Sequence, residues 1–352
     1  MQPAVDRDAL CRAILQQRNR ELAEAQKVAQ EAVAARTSWT VDELLSANFP
    51  QPRWIVPAIL PVGLASLAGR PKLGKSWLAL QLAIAVAGGG RFLDTPVERG
   101  PVLYLALEDS PRRLKSRLEA LKAAAGVPLH FHTDWLPLNG EAGGMEDLQR
   151  LAARMQPRLI VIDTLARSFT SFVDWNDLAR TTGALGGLQS LALDRDLCVL
   201  CVDHHRKVGA MAADVIDDIL GSTGKSAVVD TAWGLYRKRG EAGATLRVVG
   251  RDLDERELAL EFRPGDGCWR MLGDARDVAA KSAREVVLGA LRRLGEADAG
   301  AVAREAEVVR STAIKHLERL CECGEAERRT ETHKKNTRVL YSLKGFRPAL
   351  IE

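Results

Sequence analysis

Four short apolar runs, each followed by a stretch of helical spacing, constrain this 352-residue chain more than any other feature. The runs cover residues 63–68, 102–107, 159–162 and 199–202; the helical stretches cover 75–87, 112–124, 176–193 and 212–220. The runs are apolar almost without interruption, where a strand with one wet face would alternate. Strands buried on both faces and joined by helices predict an α/β fold with a mostly parallel sheet between helical layers. Three more runs, 232–236, 246–249 and 258–262, have no helices between them. They predict an antiparallel extension at the sheet edge.

The flanks have other compositions. Residues 6–36 are rich in Ala, Gln, Glu and Arg, and Leu10, Ile14, Leu22 and Val33 fall at helical spacing. This segment reads either as a solvated helix or as a packing arm for another subunit. Pro50, Pro52, Pro57 and Pro61 mark an extended connector. Residues 273–283 read as a polar, Ala-rich linker, followed by three short helices at 284–294, 299–306 and 311–323. Gly295 and Gly324 supply stops, and strands at 325–330 and 338–343 surround a polar tip. Three helices and a hairpin predict a winged helix-turn-helix. The expected domains are an N-terminal helical arm at 1–39, a nucleotide-binding domain at 40–272, the linker, and a winged helix at 284–352.

Hydrophobic residues make up 46% of the chain and charged residues 27%, enough for a real core. The net charge of +4 permits a polyanionic partner without demanding one. No uninterrupted apolar stretch reaches the ~18 residues of a membrane span, so no membrane association is expected. Cys198 and Cys201 sit three apart in one apolar run, which in a strand sends them to opposite faces. They cannot share a metal. The cysteines fit buried or incidental thiols of a reducing cytoplasm.

Residues Gly69-Arg70-Pro71-Lys72-Leu73-Gly74-Lys75-Ser76 form a complete GxxxxGK[ST]. Gly69 and Gly74 let backbone N–H groups turn toward phosphates. Lys75 reaches the β- and γ-phosphates of ATP, and Ser76 offers its hydroxyl to Mg²⁺. The motif follows the apolar run 63–68 and opens the helix that begins with Trp77, so the cradle is Gly69, Gly74, Lys75, Ser76 and Trp77. A second GKS, at Gly224-Lys225-Ser226, has Ile219 where such a loop needs glycine and reads as a flexible basic loop.

Asp163 closes the run Leu159-Ile160-Val161-Ile162, the place for a carboxylate that holds Mg²⁺ through water. No glutamate follows it, so the group that orients the attacking water must come from elsewhere. Glu108, at the end of the run 102–107, is the candidate, because ligand-binding groups gather at the carboxyl ends of parallel strands. Asp109 competes for that role, or caps the helix near Pro111. After the run 199–202 come Asp203, His204 and His205, and either histidine can sense the γ-phosphate.

Taken together, residues 40–263 resemble the RecA-like ATPases of the RepA and DnaB helicase group. The carrying features are Trp54-Ile55-Val56-Pro57, Pro61-Val62-Gly63-Leu64, the phosphate loop, Tyr104-Leu105-Ala106-Leu107-Glu108-Asp109, Val161-Ile162-Asp163, Asp203-His204-His205 and Gly221-Ser222-Thr223. The resemblance implies a homo-oligomeric ring, usually a hexamer, with ATP at subunit interfaces. It implies Glu108 as catalytic carboxylate, Asp163 as the acid beside magnesium and His205 as sensor. It also implies a basic finger from the neighbouring subunit, with Lys238, Arg239 and Arg251 as candidates and Arg251 preferred. Arg206, Lys207 and Lys225 would line central loops facing single-stranded DNA.

The C-terminal segment holds Arg328, Arg329, Lys334, Lys335, Arg338, Lys344 and Arg347. Thr312, Lys315, His316 and Arg319 fall on or near one face of the helix at 311–323, which could enter a major groove while the hairpin touches phosphate. The expectation is a DNA-associated motor of the replicative-helicase kind. Two alternatives stay open, an ATP-switched DNA-binding regulator or loader and a recombination ATPase.

Overall fold

The computed structural model describes residues 38–49, 53–170, 173, 175, 177–204, 223–237, 243–333 and 336–345. The chain divides at Pro52 into two compact units. In the first, a short helix, Val41–Ser46, starts at a capping box: the Glu43 N–H donates to Thr40 Oγ1 and the Thr40 N–H to Glu43 Oε2. The helical arm expected before it lies outside the described residues.

The second unit is built on a nine-stranded sheet. Its strands in chain order are β1 (Gly63–Gly69), β2 (Val102–Ala106), β3 (Leu129–His132), β4 (Leu159–Asp163), β5 (Cys198–His204), β6 (Thr231–Tyr236), β7 (Gly243–Gly250), β8 (Leu253–Arg263) and β9 (Cys268–Asp274). The order across the sheet is β9-β8-β7-β6-β1-β5-β4-β2-β3. From β6 to β3 all pairings are parallel, and β7, β8 and β9 add antiparallel at the other edge. The expected α/β architecture, with its antiparallel extension, is the observed one.

Helix α1 (Lys75–Gly88) covers one face of the sheet, packing Leu78, Leu82 and Val86 with Leu67, Val161, Leu200 and Trp233. Helices α3 (Gly144–Met155) and α4 (Leu178–Asp194) cover the other, where Leu148, Leu185 and Leu188 meet Leu103, Ile160 and Val199. Helix α2 (Pro111–Ala120) sends Leu114 into the α1 side. Cys198 and Cys201 belong to opposite faces, both fully buried, and burial pushes both thiols far up. Two strands of this sheet were not expected. β3, Leu-His-Phe-His, is a half-exposed edge strand, and β9 alternates like a surface strand, so neither shows a continuous apolar run.

The expected linker at 273–283 is not an extended segment. β9 runs to Asp274, whose Oδ1 accepts the Arg276 N–H at 2.9 Å and caps α5 (Ala275–Leu294). Residues 275–283 contain neither Gly nor Pro and join a single 20-residue helix. After it come β10 (Glu296–Asp298), α6 (Ala299–Glu305), α7 (Arg310–Glu322), β11 (Ala326–His333) and β12 (Asn336–Leu343). The sheet order β10-β12-β11 over these helices is a winged-helix-like arrangement. Its core is Val287, Leu291, Val302, Leu317, Leu320 and Tyr341. Among the described residues no helix is long and apolar enough to cross a membrane.

Candidate active site

The parallel register brings four strand ends to one rim. Gly69 of β1 lies opposite His204 of β5, and Asp163 of β4 lies between Val202 of β5 and Ala106 of β2. The loop after β1 ends at Gly74, whose φ of +99° only glycine takes without strain, and α1 starts at Lys75. The first-turn N–H groups of α1 have no partners within the helix and can receive an anion.

Lys75 is 5% exposed. Its Nζ donates to the carbonyls of Gly69 (2.7 Å) and Arg70 (3.1 Å) and lies 3.3 Å from His204 Nδ1. An ammonium only donates, so this contact calls for the His204 tautomer that leaves Nδ1 as an acceptor. Burial lowers the Lys75 pKa to about 8, against the opposing pull of Asp163, Asp203 and Glu108. Burial, then the charge on Lys75, also holds His204 below its ordinary value. A phosphate arriving at the loop would replace these internal acceptors with a full charge.

Asp163 is 4% exposed, and each of its oxygens is held. Ser76 Oγ donates to Oδ1 at 3.2 Å, and the buried Tyr104 hydroxyl donates to Oδ2 at 2.8 Å. Burial raises the Asp163 pKa, and these two hydrogen bonds pull it back. Among the described residues no three His, Cys, Asp or Glu side chains cluster as a metal cage. A hydroxyl beside a single carboxylate instead suits a hard ion that completes its shell with phosphate oxygens and water.

Glu108 stands just past the end of β2. Thr164 Oγ1 donates to its Oε1 at 3.0 Å and Arg167 Nε lies 3.9 Å away, yet its side chain stays 45% exposed. Asp109 is not the cap of α2. Ser110 is, accepting the Arg113 N–H at 3.3 Å, with Pro111 in the first turn. Asp109 is instead occupied by Arg113 (3.1 Å) and Arg117. Of the two neighbours, Glu108 is the one that faces the rim with open surface.

The Trp77 ring packs beside Phe262, with the Arg117 guanidinium 5.3 Å from the ring centre. Lys225 is not presented outward as a central-loop cation would be. It is paired with Asp203, lies 5.0 Å from the Trp175 ring centre, and its side chain is 12% exposed. Arg251 occupies the turn between β7 and β8. Thr231 pairs with both Ala65 and Gly250, which places this turn at the end of the sheet opposite Lys75. Arg251 Nη2 donates to the Ala227 carbonyl at 2.6 Å, and Nη1 lies 3.4 Å from Asp230. His205, Arg206, Lys207, Lys238, Arg239, Lys334, Lys335 and Arg347 lie outside the described residues.

On α7, Lys315 and Arg319 are exposed. His316 is buried in the module's core, so it does not join them on the outer face. Arg328 and Arg338 are exposed on the hairpin, whereas Arg329 is held by Glu296 and Glu331, both at 2.9 Å.

Three residues of the site were given no role by the sequence reading. Tyr104 and Thr164 grip the two carboxylates. Trp269 of β9 donates its ring N–H to the Gly74 carbonyl at 3.1 Å, and its backbone is clamped by both ends of the Gln81 amide, at 2.8 and 2.9 Å. Its ring lies where a Gly74 side chain would start, 3.0 Å from an ideal Cβ. The unexpected edge strand thus braces the phosphate loop.

A family model for the AAA domain matches residues 29–210, more than half of the chain. Among solved structures, one ATPase domain is 15% identical with a TM-score of 0.48, over 71% of this chain and 98% of that one. A DnaB-like replicative helicase, solved with its interactions with primase, is 16% identical with a TM-score of 0.47, over 75% of each chain. Both likenesses are loose.

Proposed function

The chain belongs to the AAA domain family and carries an ATP-binding, ATP-hydrolysing domain; from that premise we propose that it is a ring-forming, DNA-associated motor. The observation that carries the reading is the convergence of Lys75, Ser76, Asp163, Glu108 and His204 on one rim of the sheet. Lys75 and the first turn of α1 hold the phosphates. Ser76 and Asp163 fit Mg²⁺, which when bound would neutralise phosphate charge. Glu108, kept in place by Thr164 and still open to solvent, orients the attacking water. His204 touches Lys75 and takes the sensor role, which the sequence resemblance assigned to His205.

Ring assembly rests on the sequence resemblance. Arg251 lies at the end of the sheet opposite Lys75, so as a finger it would serve a neighbouring subunit's nucleotide, and it would have to leave Ala227 O and Asp230 to do so. DNA association is supported by the exposed Lys315, Arg319, Arg328 and Arg338 of the winged-helix-like module. The decisive experiment measures ATPase rate with and without single-stranded DNA, for wild type and Glu108→Gln. We expect DNA stimulation in the wild type and a loss of at least about two orders of magnitude in the variant. Retained turnover in Glu108→Gln would remove its assignment, and a rate indifferent to DNA would remove the motor.

One observation favours a second reading, an ATP-switched DNA-binding regulator or loader. β9 braces the phosphate loop through Trp269 and passes into α5 at Asp274 without slack. ATP-dependent DNA binding without strand displacement would select this reading over the motor.

A further inference from the structure

We propose that Tyr104 is a positioning residue for Asp163, fixing which carboxylate oxygen faces the magnesium ion and thereby setting the metal affinity of the nucleotide site. The inference rests on reading Asp163 as the acid beside magnesium. A carboxylate at a strand end can turn about its last torsion and present either oxygen, or both. Here Oδ2 is tied by the phenol at 2.8 Å, and Oδ1 is left on Ser76 Oγ at 3.2 Å. Ser76 is the hydroxyl that would help hold the ion, which would leave Oδ1 free to face it while the phenol keeps Oδ2.

The anchor is built into the sheet. Tyr104 pairs with Val161 in the ladder between β2 and β4, two residues short of Asp163 on the same face. Its ring is packed 5.4 Å from the centre of Phe131, and the side chain is almost wholly buried. Water therefore has little room to replace the phenol. The rest of β2 is Val102, Leu103, Leu105 and Ala106, so packing alone asks for no hydroxyl at this position. A buried hydroxyl is costly unless it is bonded, and the acceptor of this one is Asp163. Groups that orient a metal's ligands typically change metal affinity by about 10–100-fold when removed.

The test is Tyr104→Phe in the full-length protein, which deletes one oxygen and keeps the ring in the core. Binding of a fluorescent ATP analogue is titrated with Mg²⁺, and separately measured in EDTA; turnover is not needed for either. We expect the half-saturating Mg²⁺ concentration to rise about tenfold or more, with nucleotide affinity in EDTA unchanged. A general loss of structure would weaken both. Asp163→Asn is measured in parallel. If it raises the magnesium requirement and Tyr104→Phe does not, the positioning role is overturned while the reading of Asp163 stands. If neither variant moves the requirement, Asp163 is not the acid beside magnesium and the role of Tyr104 falls with it. Equal weakening with and without metal in Tyr104→Phe also overturns the proposal, since that is the mark of packing alone.

Discussion

Replacing Trp269 with phenylalanine tests whether the antiparallel edge of the sheet is part of the ATP site. The variant deletes the N–H that donates to Gly74 O at 3.1 Å and shrinks a ring that is 1% exposed. The Gly74 carbonyl also accepts the Leu78 N–H at 3.1 Å, so it is not orphaned. The hydrogen-bond loss therefore belongs near the lower end of its range, about 1 kcal/mol. The smaller ring leaves a gap costing about 1–2 kcal/mol more. We expect the variant to be about 2–3 kcal/mol less stable in urea denaturation. The gap opens directly against Gly74, where the Trp269 ring lies 3.0 Å from an ideal Cβ. If about 1 kcal/mol of the loss falls on the loop, ATP affinity drops about fivefold. Trp233→Phe is the control. Trp233 is equally buried and donates its ring N–H to Ile59 O at 2.8 Å, away from the loop. Among the described residues no other donor reaches the buried Ile59 carbonyl, so the control should lose at least as much stability, and it should keep its ATP affinity. Equal loss of affinity in both variants, or none in Trp269→Phe, would refute the bracing argument.

Two further outcomes follow from the same geometry. Lys75 is held at about 8 in the nucleotide-free protein, below its ordinary 10.5, and bound phosphate favours the charged form. ATP affinity in EDTA should then be full below about pH 8 and weaken towards about tenfold per pH unit above it, with one proton taken up on binding. His204, held below 6.5, and Tyr104, held well above 10, do not obscure that window, and a flat affinity from about pH 7 to about 9.5 would reject the assignment. In the winged-helix-like module, Arg328→Ala or Arg338→Ala on the hairpin should weaken DNA binding evenly across sequences and reduce the slope of log K against log salt by about 1. Unchanged affinity and slope in both, measured by anisotropy, would take the hairpin out of contact with DNA.

What was legible in the sequence depended on whether a residue's job is local. The phosphate loop is a local device: strand, turn and helix follow one another, and Gly74, Lys75 and Ser76 act from adjacent positions. Asp163 and Glu108 were readable because a charge that ends an apolar strand must lie at the sheet's rim, whichever strand is next to it. Tyr104, Thr164 and Trp269 act across strands, and their partners lie 59, 56 and 195 positions away in sequence. No spacing marks such pairs, since the strand order that joins them is a property of the whole sheet. Trp269 was further hidden because β9 alternates like a surface strand and so did not register as an element at all. The missed helical start at 275 has the same origin. An Ala-rich polar run reads as a linker until Asp274 is known to end a strand, and only then does its carboxylate become a helix cap. The groups that bind phosphate could thus be placed one at a time from the sequence, whereas the groups that aim them required the order β1-β5-β4-β2 and the folded-back edge at β9. If the aiming groups govern metal affinity and loop rigidity as argued, Tyr104→Phe and Trp269→Phe should fail differently. The first should fail only when magnesium is limiting, and the second at every magnesium concentration, so the double variant should lose the sum of the two free energies.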